Sequence, residues 1–244
     1  MPLHSFAPRR DNLAIWLPFL AALAAFPLVV KNEYILNVGV LAGIYVILTT
    51  GLNITNGYTG LMSFGYAAFY GIGAYTAAIL STRYGMPFWV TFPAAGVVAG
   101  LFGVTIALPT LRLKGIFLAL VTIGFQEIVF LITLNWTSLT RGPMGIPGIP
   151  PPSLGGYAFV SNRDYFYLIL VLNLLMVFLV ARLMGSRVGR TFIAIREDEV
   201  AAQSVGIPIF PMKVLSFVIS TVMAGVAGAF FADHARFVSA DSFR

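Results

Sequence analysis

The chain has 244 residues, of which 59% are hydrophobic and 10% are charged, and its formal net charge is +6. Soluble domains carry about 25% charged residues, so this chain has too few to cover a water-facing globule of its size. In an apolar chain the excess of Lys and Arg indicates basic loops that set membrane orientation, and it gives no indication of nucleic-acid binding. Cysteine is absent, and His4 and His234 lie near opposite ends, so we expect no catalytic residue, metal or cofactor.

Seven apolar runs are long enough, or nearly so, to cross about 30 Å of hydrocarbon as helices. They lie at 15–30, 35–54, 61–80, 88–108, 116–134, 165–183 and 214–231. β-Barrel strands would instead alternate between apolar and polar residues over about ten positions. We therefore predict an all-α, polytopic transmembrane helix bundle of about seven spans, forming a single domain over 1–244.

Two of these runs are irregular. The first contains Pro18 and Pro27 and follows two arginines, as a signal peptide would, but no small-residue cleavage site precedes a soluble domain. The third is interrupted by glycines, and it is expected either to cross the membrane or to break and re-enter. These glycines are Gly57, Gly60, Gly65, Gly71 and Gly73.

Loop charges predict the orientation. If the N-terminus is cytoplasmic and all seven runs span, the densest basic cluster lies inside, in the loop 185–213. The residues then inside are Arg9, Arg10, Arg112, Lys114, Arg182, Arg187, Arg190, Arg196 and Lys213. Those outside are the smaller group Lys31, Arg83, Arg141, Arg163, Arg236 and Arg244. The positive-inside rule therefore favours a cytoplasmic N-terminus.

Small residues at four-residue spacing predict helix-packing faces, because helices in lipid associate through close contact. The seventh run carries Ser216, Ser220, Ala224 and Gly228, the third carries Ala67, Gly71, Ala74 and Ala78, and the fourth carries Gly96 and Gly100. Any one of these patterns is also expected by chance in membrane helices. Together they favour a tight bundle.

The charged loop 185–213 carries helix signals. Acidic residues at 197–199 suit a helix N-terminus, Gly206 suits the position after a helix end, and Pro208 prevents continuation. The pattern predicts one short helix, beginning as early as Thr191, between two spans. Such a helix could dock into the groove of a partner, or it could be a solvated connector.

Four polar residues lie in or beside predicted spans. Glu127 is the one carboxylate within a predicted span, and Gln126 precedes it. A carboxylate in lipid is costly and is by default a functional candidate, although a structural hydrogen bond or burial of the neutral acid would also explain it. Asn53 and Asn56 flank the glycine-rich stretch, where they would hydrogen-bond freed backbone or contact a substrate.

Several motifs resemble one family. Glu199-x-Ala201-Ala202-x-x-x-Gly206 is similar to the coupling motif of ABC-importer permeases. RTFIAIREDE at 190–199 resembles the LivH/LivM family of branched-chain amino acid permeases, closest to the LivM type. Further stretches resemble that family's signature: GLN at 51–53, GYTGLMSFG at 57–65, AAFYGIGAY at 67–75 and TRGPMGIPGIP at 140–150.

The resemblance implies a permease subunit of the bacterial inner membrane. It implies two cytoplasmic ABC ATPase subunits, a second homologous permease and a periplasmic solute-binding protein as partners. The residues expected to contact the ATPase are Arg196, Glu197, Asp198, Glu199, Ala201, Ala202 and Gly206. The loop 142–152 would face the binding protein or the pore mouth, or serve as a rigid connector. Asn53, Asn56, Gln126 and Glu127 are candidates for the substrate pathway.

The chain departs from the family pattern in two places. Relatives of this type usually continue with further helices beyond the position of Arg244, so we expect a shortened form, and they often have a basic residue where this chain has Phe130.

The expected substrates are Leu, Ile and Val, with urea or short amides as the alternative. No phosphate-binding G-x-x-x-x-G-K-[ST] motif occurs, so we expect the ATP to be hydrolysed by a partner. A secondary transporter would show inverted repeats or several intramembrane charges, whereas this sequence shows one such charge, Glu127, and no convincing repeat. A membrane enzyme would show clustered reactive side chains in its spans, and this sequence has none there.

Overall fold

The computed structural model describes residues 23–30, 32–113, 115–154 and 157–243. Its helices are α1 (Glu33–Leu52), α2 (Tyr66–Tyr84), α3 (Phe88–Thr110), α4 (Ile116–Asn135), α5 (Thr137–Thr140), α6 (Asn162–Met184), α7 (Arg187–Glu197), α8 (Glu199–Ser204) and α9 (Ile209–Ala235). A π-helix (Asn53–Tyr58) follows α1, and 3-10 turns cover Gly142–Met144 and Ala240–Phe243. The two-residue strands are β1 (Ile146–Pro147), β2 (Ser153–Leu154), β3 (Tyr157–Ala158) and β4 (Phe237–Val238). β1 pairs with β4 and β2 with β3, both antiparallel.

Five helical segments in the described part of the chain are long and apolar enough to cross a membrane. They are Glu33–Tyr58, Phe88–Thr110, Ile116–Asn135, Asn162–Met184 and Ile209–Ala235. The predicted all-α polytopic membrane fold is therefore confirmed. Half of the predicted first span, residues 15–22 of 15–30, lies outside the described residues, and residues 23–29 of it are helical.

Local signals explain where the helices begin and end. Asn32 caps α1 by accepting a hydrogen bond from the Tyr34 N–H, and Ser161 and Asp164 form a capping box at the start of α6. Gly85 ends α2 in the left-handed region, at φ 61°. The last helix begins at Ile209, five residues before the predicted start, because Lys213 is paired within the protein and does not have to lie outside the span.

The bundle has two ends. We call the end that carries α7 and α8 the helical-loop face, and the end that carries β1 to β4 the hairpin face. The π-helix reaches the helical-loop face, where Arg196 contacts the Gly57 carbonyl oxygen. α3 starts at the hairpin face, where the Trp89 indole donates a hydrogen bond to the Ser153 carbonyl. The chain therefore returns from one face to the other between residues 58 and 88.

The return passage corrects the predicted third span. The sequence placed one helix at 61–80, whereas α2 begins at Tyr66 and residues 59–65 are not helical. Gly60, the second residue of this non-helical part, has a φ of 73°, a conformation that glycine adopts without strain. We call residues 59–65 the entry loop. The segment 59–84 crosses the bundle, but its first part is a loop in which backbone groups of Ser63 and Phe64 hydrogen-bond to side chains.

α9 lies at the centre of the bundle. In its most apolar stretch 67% of the residues are buried, against 17% for the corresponding stretches of α4 and α6. Gly225 lies so close to α2 and α3 that a Cβ at Gly73 would overlap the Gly225 carbonyl, and one at Gly225 would lie 2.5 Å from the Ala99 Cβ. A Cβ at Gly228 would overlap the Tyr70 carbonyl oxygen. Glycine therefore sets the distance between these helices.

The residues predicted to pack lie mostly at these contacts. Gly96 and Gly100 face Val222 and Val226 of α9, and Gly71 faces the Phe243 ring. Ser220 is buried and donates a hydrogen bond to the Gly51 carbonyl of α1 (2.8 Å). The remaining members are Ala67, which is partly buried, and the buried pair Ala74 and Ala224.

We predict that Gly228→Ala lowers the melting temperature of the purified protein in detergent, because the added methyl group meets backbone that cannot move aside. Overpacking of this kind costs about 1–3 kcal/mol. Gly124→Ala is the matched control, since a Cβ at Gly124 meets nothing within 4 Å. Equal melting temperatures for the two variants would contradict the proposed packing limit.

Candidate functional site

The segment between α6 and α9 forms two short helices, whereas the sequence predicted one. α7 covers Arg187–Glu197 and α8 covers Glu199–Ser204. Asp198 separates them in an extended conformation, with φ −158° and ψ 111°. Its Oδ1 accepts hydrogen bonds from the N–H groups of Val200 (2.8 Å) and Ala201 (3.1 Å). Because Asp is a preferred N-cap, it starts a second helix and divides the segment.

The end of α8 agrees with the sequence prediction. Gly206 follows the helix in the left-handed region, at φ 84°. Its N–H donates a hydrogen bond to the Gln203 carbonyl (3.0 Å), and the Ile207 N–H donates one to the Ala202 carbonyl (3.1 Å). This pair of bonds is the Schellman arrangement, in which glycine relieves the strain of a positive φ. The position of Gly206 after the helix end is confirmed.

An ion pair holds α8 against the start of α9. The Lys213 Nζ pairs with Glu199 Oε1, and the Lys213 side chain is 5% exposed against 31% for Glu199. Ala202, one turn after Glu199, is buried on the same side. α8 therefore moves with α9, since a nearly buried lysine without its carboxylate partner would be costly.

The opposite side of α8 faces solvent and is partly apolar. Val200 and Val205 are 74% and 76% exposed, although they lie in a charged loop. Glu197, Asp198 and Gln203 are also exposed. We call these five residues the α8 surface. Exposed apolar side chains rimmed by charged ones are typical of a surface that contacts another protein.

Arg196 joins α7 to the membrane bundle. Its Nη1 donates a hydrogen bond to the Gly57 carbonyl of the π-helix (2.9 Å), and its Nη2 pairs with Glu197 (2.7 Å). Its aliphatic stem packs on the entry loop, because a Cβ at Gly60 would lie 2.8 Å from the Arg196 Cγ. A displacement of α7 would therefore act directly on the entry loop.

The entry loop is in turn attached to α4. The Phe64 N–H donates a hydrogen bond to the Thr122 Oγ1 (3.1 Å), and Gly65 lies against the Thr122 carbonyl. Asn56 closes the loop on its other side, since its amide donates to the Ser63 carbonyl (3.1 Å) and accepts from the Ser63 N–H (3.3 Å). Asn56 therefore hydrogen-bonds to backbone groups that no helix satisfies, which is one of the two roles expected for it.

The four residues predicted for a substrate pathway do not form one site. Asn53 lines an open cavity of about 530 Å³ between α1 and α6. Gln126 lines a small cavity between α2 and α4, with a volume of about 10 Å³. Glu127 lies in α4 on the outer surface of the chain and is exposed, so burial as a neutral acid within this chain is wrong. α1 packs mainly on α6 and α9, whereas α4 packs on α2 and α3.

A polar cluster near the hairpin face was missed by the sequence analysis. Asp233 lies within α9, where it is 1% exposed, and its backbone carbonyl accepts a hydrogen bond from the Tyr165 hydroxyl (3.1 Å). His234 Nε2 lies 2.7 Å from the Asn37 Oδ1. The predicted last span ended at 231, so these residues were assigned to a tail. The continued small-residue spacing up to Ala232 was the signal available in the sequence.

Hydrogen bonds connect the described loop residues of the hairpin face. The Tyr157 hydroxyl donates a hydrogen bond to Asp164 (3.2 Å), which raises the pKa of Tyr157. Arg83 donates two hydrogen bonds to the carbonyls of Ser138 (2.5 Å) and Leu139 (2.9 Å). This face is therefore stabilised mainly by contacts to backbone.

The sequence that forms these helices matches the profile of a known protein family. The profile described as "Branched-chain amino acid transport system / permease component" matches residues 34–244. The chain belongs to this family. The match covers all the described helices from α1 to α9, so the resemblance to the LivH/LivM permeases is confirmed.

Two bacterial relatives of this permease are similar over most of its length. It is 40% identical over 252 aligned positions to the high-affinity branched-chain amino acid transport system permease protein LivM of Escherichia coli (strain K12), and equally to that of Salmonella typhimurium (strain LT2). Each alignment covers 92% of this chain and 59% of the relative, so the permease spans well under two thirds of their length. A probable LivM protein of Methanocaldococcus jannaschii is 23% identical over 239 positions, covering 82% of this chain and 68% of the relative. No solved structure matches the permease.

We predict that Lys213→Ala lowers the stability of the permease by about 1–3 kcal/mol, because it leaves Glu199 without its nearly buried partner. The expected loss is below that for a fully buried pair, since Glu199 is partly exposed. Melting in detergent measures it.

The control is a double-mutant cycle with Glu199→Ala. If the pair interacts, the double variant loses less stability than the sum of the single variants. Additive losses would show that the two side chains act independently.

Proposed function

We propose that this permease is a membrane subunit of an ATP-driven importer that carries branched-chain amino acids into a bacterial cytoplasm. The observation that carries the proposal is a capped, two-helix segment with an exposed apolar surface on a chain of this permease family. The two bacterial relatives described above are branched-chain amino acid transport permeases, which favours Leu, Ile and Val as substrates. The expected partners are two ABC ATPase subunits, a second homologous permease and a periplasmic binding protein.

The basic residues favour a cytoplasmic position for the helical-loop face. In the described part of the chain this face carries Arg112, Arg182, Arg187, Arg190, Arg196 and Lys213. The hairpin face carries Arg83, Arg141, Arg163 and Arg236. By the positive-inside rule the helical-loop face is cytoplasmic, and the hairpin face is then available to the binding protein. This orientation also puts the N-terminus in the cytoplasm if 15–30 spans.

The α8 surface is the proposed ATPase contact. Its exposed valines would enter a groove of the ATPase, and Glu197 and Asp198 would lie at the rim. Of the residues expected to take part, Ala201 is exposed and Ala202 is buried. Glu199 is engaged with Lys213, so its proposed role is to hold α8 on α9. Gly206 shapes the end of α8 through its positive φ.

Arg196 is the proposed mechanical link. A movement of α7 and α8 imposed by the ATPase would act through the Gly57 carbonyl and Gly60 on the entry loop. The entry loop would act on α4 through Thr122. Gln126 and Glu127 follow on α4, roughly 6–8 Å further along the helix at 1.5 Å per residue. The substrate pathway is therefore proposed to follow α4.

Transport by the complete system tests the substrate. Proteoliposomes that contain the permease, its co-expressed partner subunits and the binding protein should accumulate radiolabelled Leu when ATP is enclosed on the side of the helical-loop face. Radiolabelled urea is the comparison substrate. Uptake of urea without uptake of Leu, Ile or Val would refute the proposed substrate, and ATP-independent uptake would refute the importer class.

A pair of variants separates docking from transmission. Val200→Asp should reduce both co-purification of the ATPase and uptake by about tenfold or more, as expected for a charge placed in an apolar contact. Arg196→Gln should leave the ATPase bound but lower the uptake per ATP hydrolysed, since only the link to Gly57 is weakened.

Matched controls are available on exposed positions. Val160→Asp places the same charge on the hairpin face, where Val160 is 58% exposed, and Arg190→Gln removes an exposed arginine from α7. Val160→Asp should retain the bound ATPase, and Arg190→Gln should keep the normal uptake per ATP hydrolysed. Normal coupling in Arg196→Gln would reject the proposed link, and normal ATPase binding by Val200→Asp would reject the proposed docking surface.

A further inference from the structure

One outward row of α4 differs from the other outer surfaces of the bundle. Leu120, Ile123 and Leu131 are 59%, 50% and 48% exposed, and the exposed Glu127 lies between them on the same side of the helix. Glu127 is eleven residues after the start of α4, so it lies about 16 Å along a helix of 20 residues, close to mid-membrane. A carboxylate at this depth is disfavoured against lipid.

Among the residues that the structure describes, no other outer helix surface carries an exposed carboxylate in its central part. On α6 the exposed side chains of the central part are Val171, Leu174, Leu175, Val177, Phe178 and Leu179. On α3 they are Val97, Leu101, Phe102 and Thr105, whose hydroxyl donates a hydrogen bond to the Leu101 carbonyl of the same helix. Surfaces without an unpaired polar or charged group are suited to lipid tails. α4 and α6 are equally little buried, so it is the carboxylate that distinguishes α4 from a lipid-facing helix.

The surroundings of Glu127 leave room for another helix. Within the described residues no ion pair involves the Glu127 carboxylate, so these residues do not neutralise it. Gly124 lies one turn before Glu127, and a Cβ built there meets nothing within 4 Å. Small residues beside a polar one are the usual means of close helix contact in membranes.

We propose that this α4 face, defined by Leu120, Ile123, Gly124, Glu127 and Leu131, packs against a second permease subunit of the same family. This inference rests on the proposed function and names the surface by which the two permeases meet. The partner supplies a basic group or a hydrogen-bond donor at the depth of Glu127. The partner is a non-identical chain, because two-fold pairing of identical copies would bring two Glu127 carboxylates together in a medium of low dielectric.

The absence of cysteine from the chain makes the surface directly testable. Ile123→Cys and Leu131→Cys place a single thiol on the α4 face, and Leu101→Cys and Leu175→Cys place one on the apolar faces of α3 and α6. Each variant is expressed with its complete transport system, labelled in membranes with a maleimide-benzophenone and irradiated. Peptide mass spectrometry then identifies the cross-linked chain.

We expect positions 123 and 131 to cross-link to a different chain that matches the same permease family. Their yield should exceed that of positions 101 and 175 by about tenfold, because a probe in lipid finds no protein partner. Cross-links mainly to lipid at all four positions would overturn the proposal. Cross-links to a second copy of this chain, or to a protein outside the family, would also overturn it.

The uptake assay separates this proposal from the proposed function. Leucine uptake without a cross-link from the α4 face would refute the proposed contact surface and support the importer function. A cross-link to a family member without uptake of Leu, Ile or Val would support the contact surface and refute the proposed substrates. Uptake by all four cysteine variants is measured first, so that only assembled and active systems are compared.

Discussion

Lipid offers no hydrogen-bond partner to a peptide group, and the rest of this structure follows from how the chain meets that constraint where α1 ends. The π-helix and the entry loop leave backbone groups that no helix satisfies. Asn56, Thr122 and Arg196 satisfy several of them through contacts to Ser63, Phe64 and Gly57. The same contacts attach the entry loop to α4 and α7, so the hydrogen bonds that the backbone requires also form the proposed route for movement.

Close contact around α9 determines which helices remain at the periphery. Gly225 and Gly228 let α9 touch the backbone of α2 and α3, and this leaves α4 and α6 with most of their surface uncovered. The exposed central surfaces of these two helices then differ in the carboxylate of Glu127, which only α4 carries. Polar residues on the outer surface of a membrane helix bundle therefore indicate where a partner protein packs, because apolar residues suit contact with lipid and with protein alike.

Much of the site was predictable wherever a signal was local. The positive φ of Gly206 follows from the helix-end pattern, and the use of Asn56 for backbone follows from its place beside glycines. The division at Asp198 was not predicted, because an N-cap and a first-turn acid look alike in a sequence. The early start of α9 is not predictable from the sequence, because Lys213 resembles a loop charge unless its pairing with Glu199 is known.

Residue order is enough to identify an apolar helix bundle that resembles the branched-chain amino acid permeases, because hydrophobic run length and short motifs are properties of neighbouring residues. The three-dimensional packing was needed to show that α9 is central, that α1 and α4 pack on different helices, and that Arg196 reaches Gly57. These are contacts between segments distant in the chain. They depend on how closely the helices approach, and apolar helices with weak amphipathicity carry no sequence pattern that identifies their neighbours.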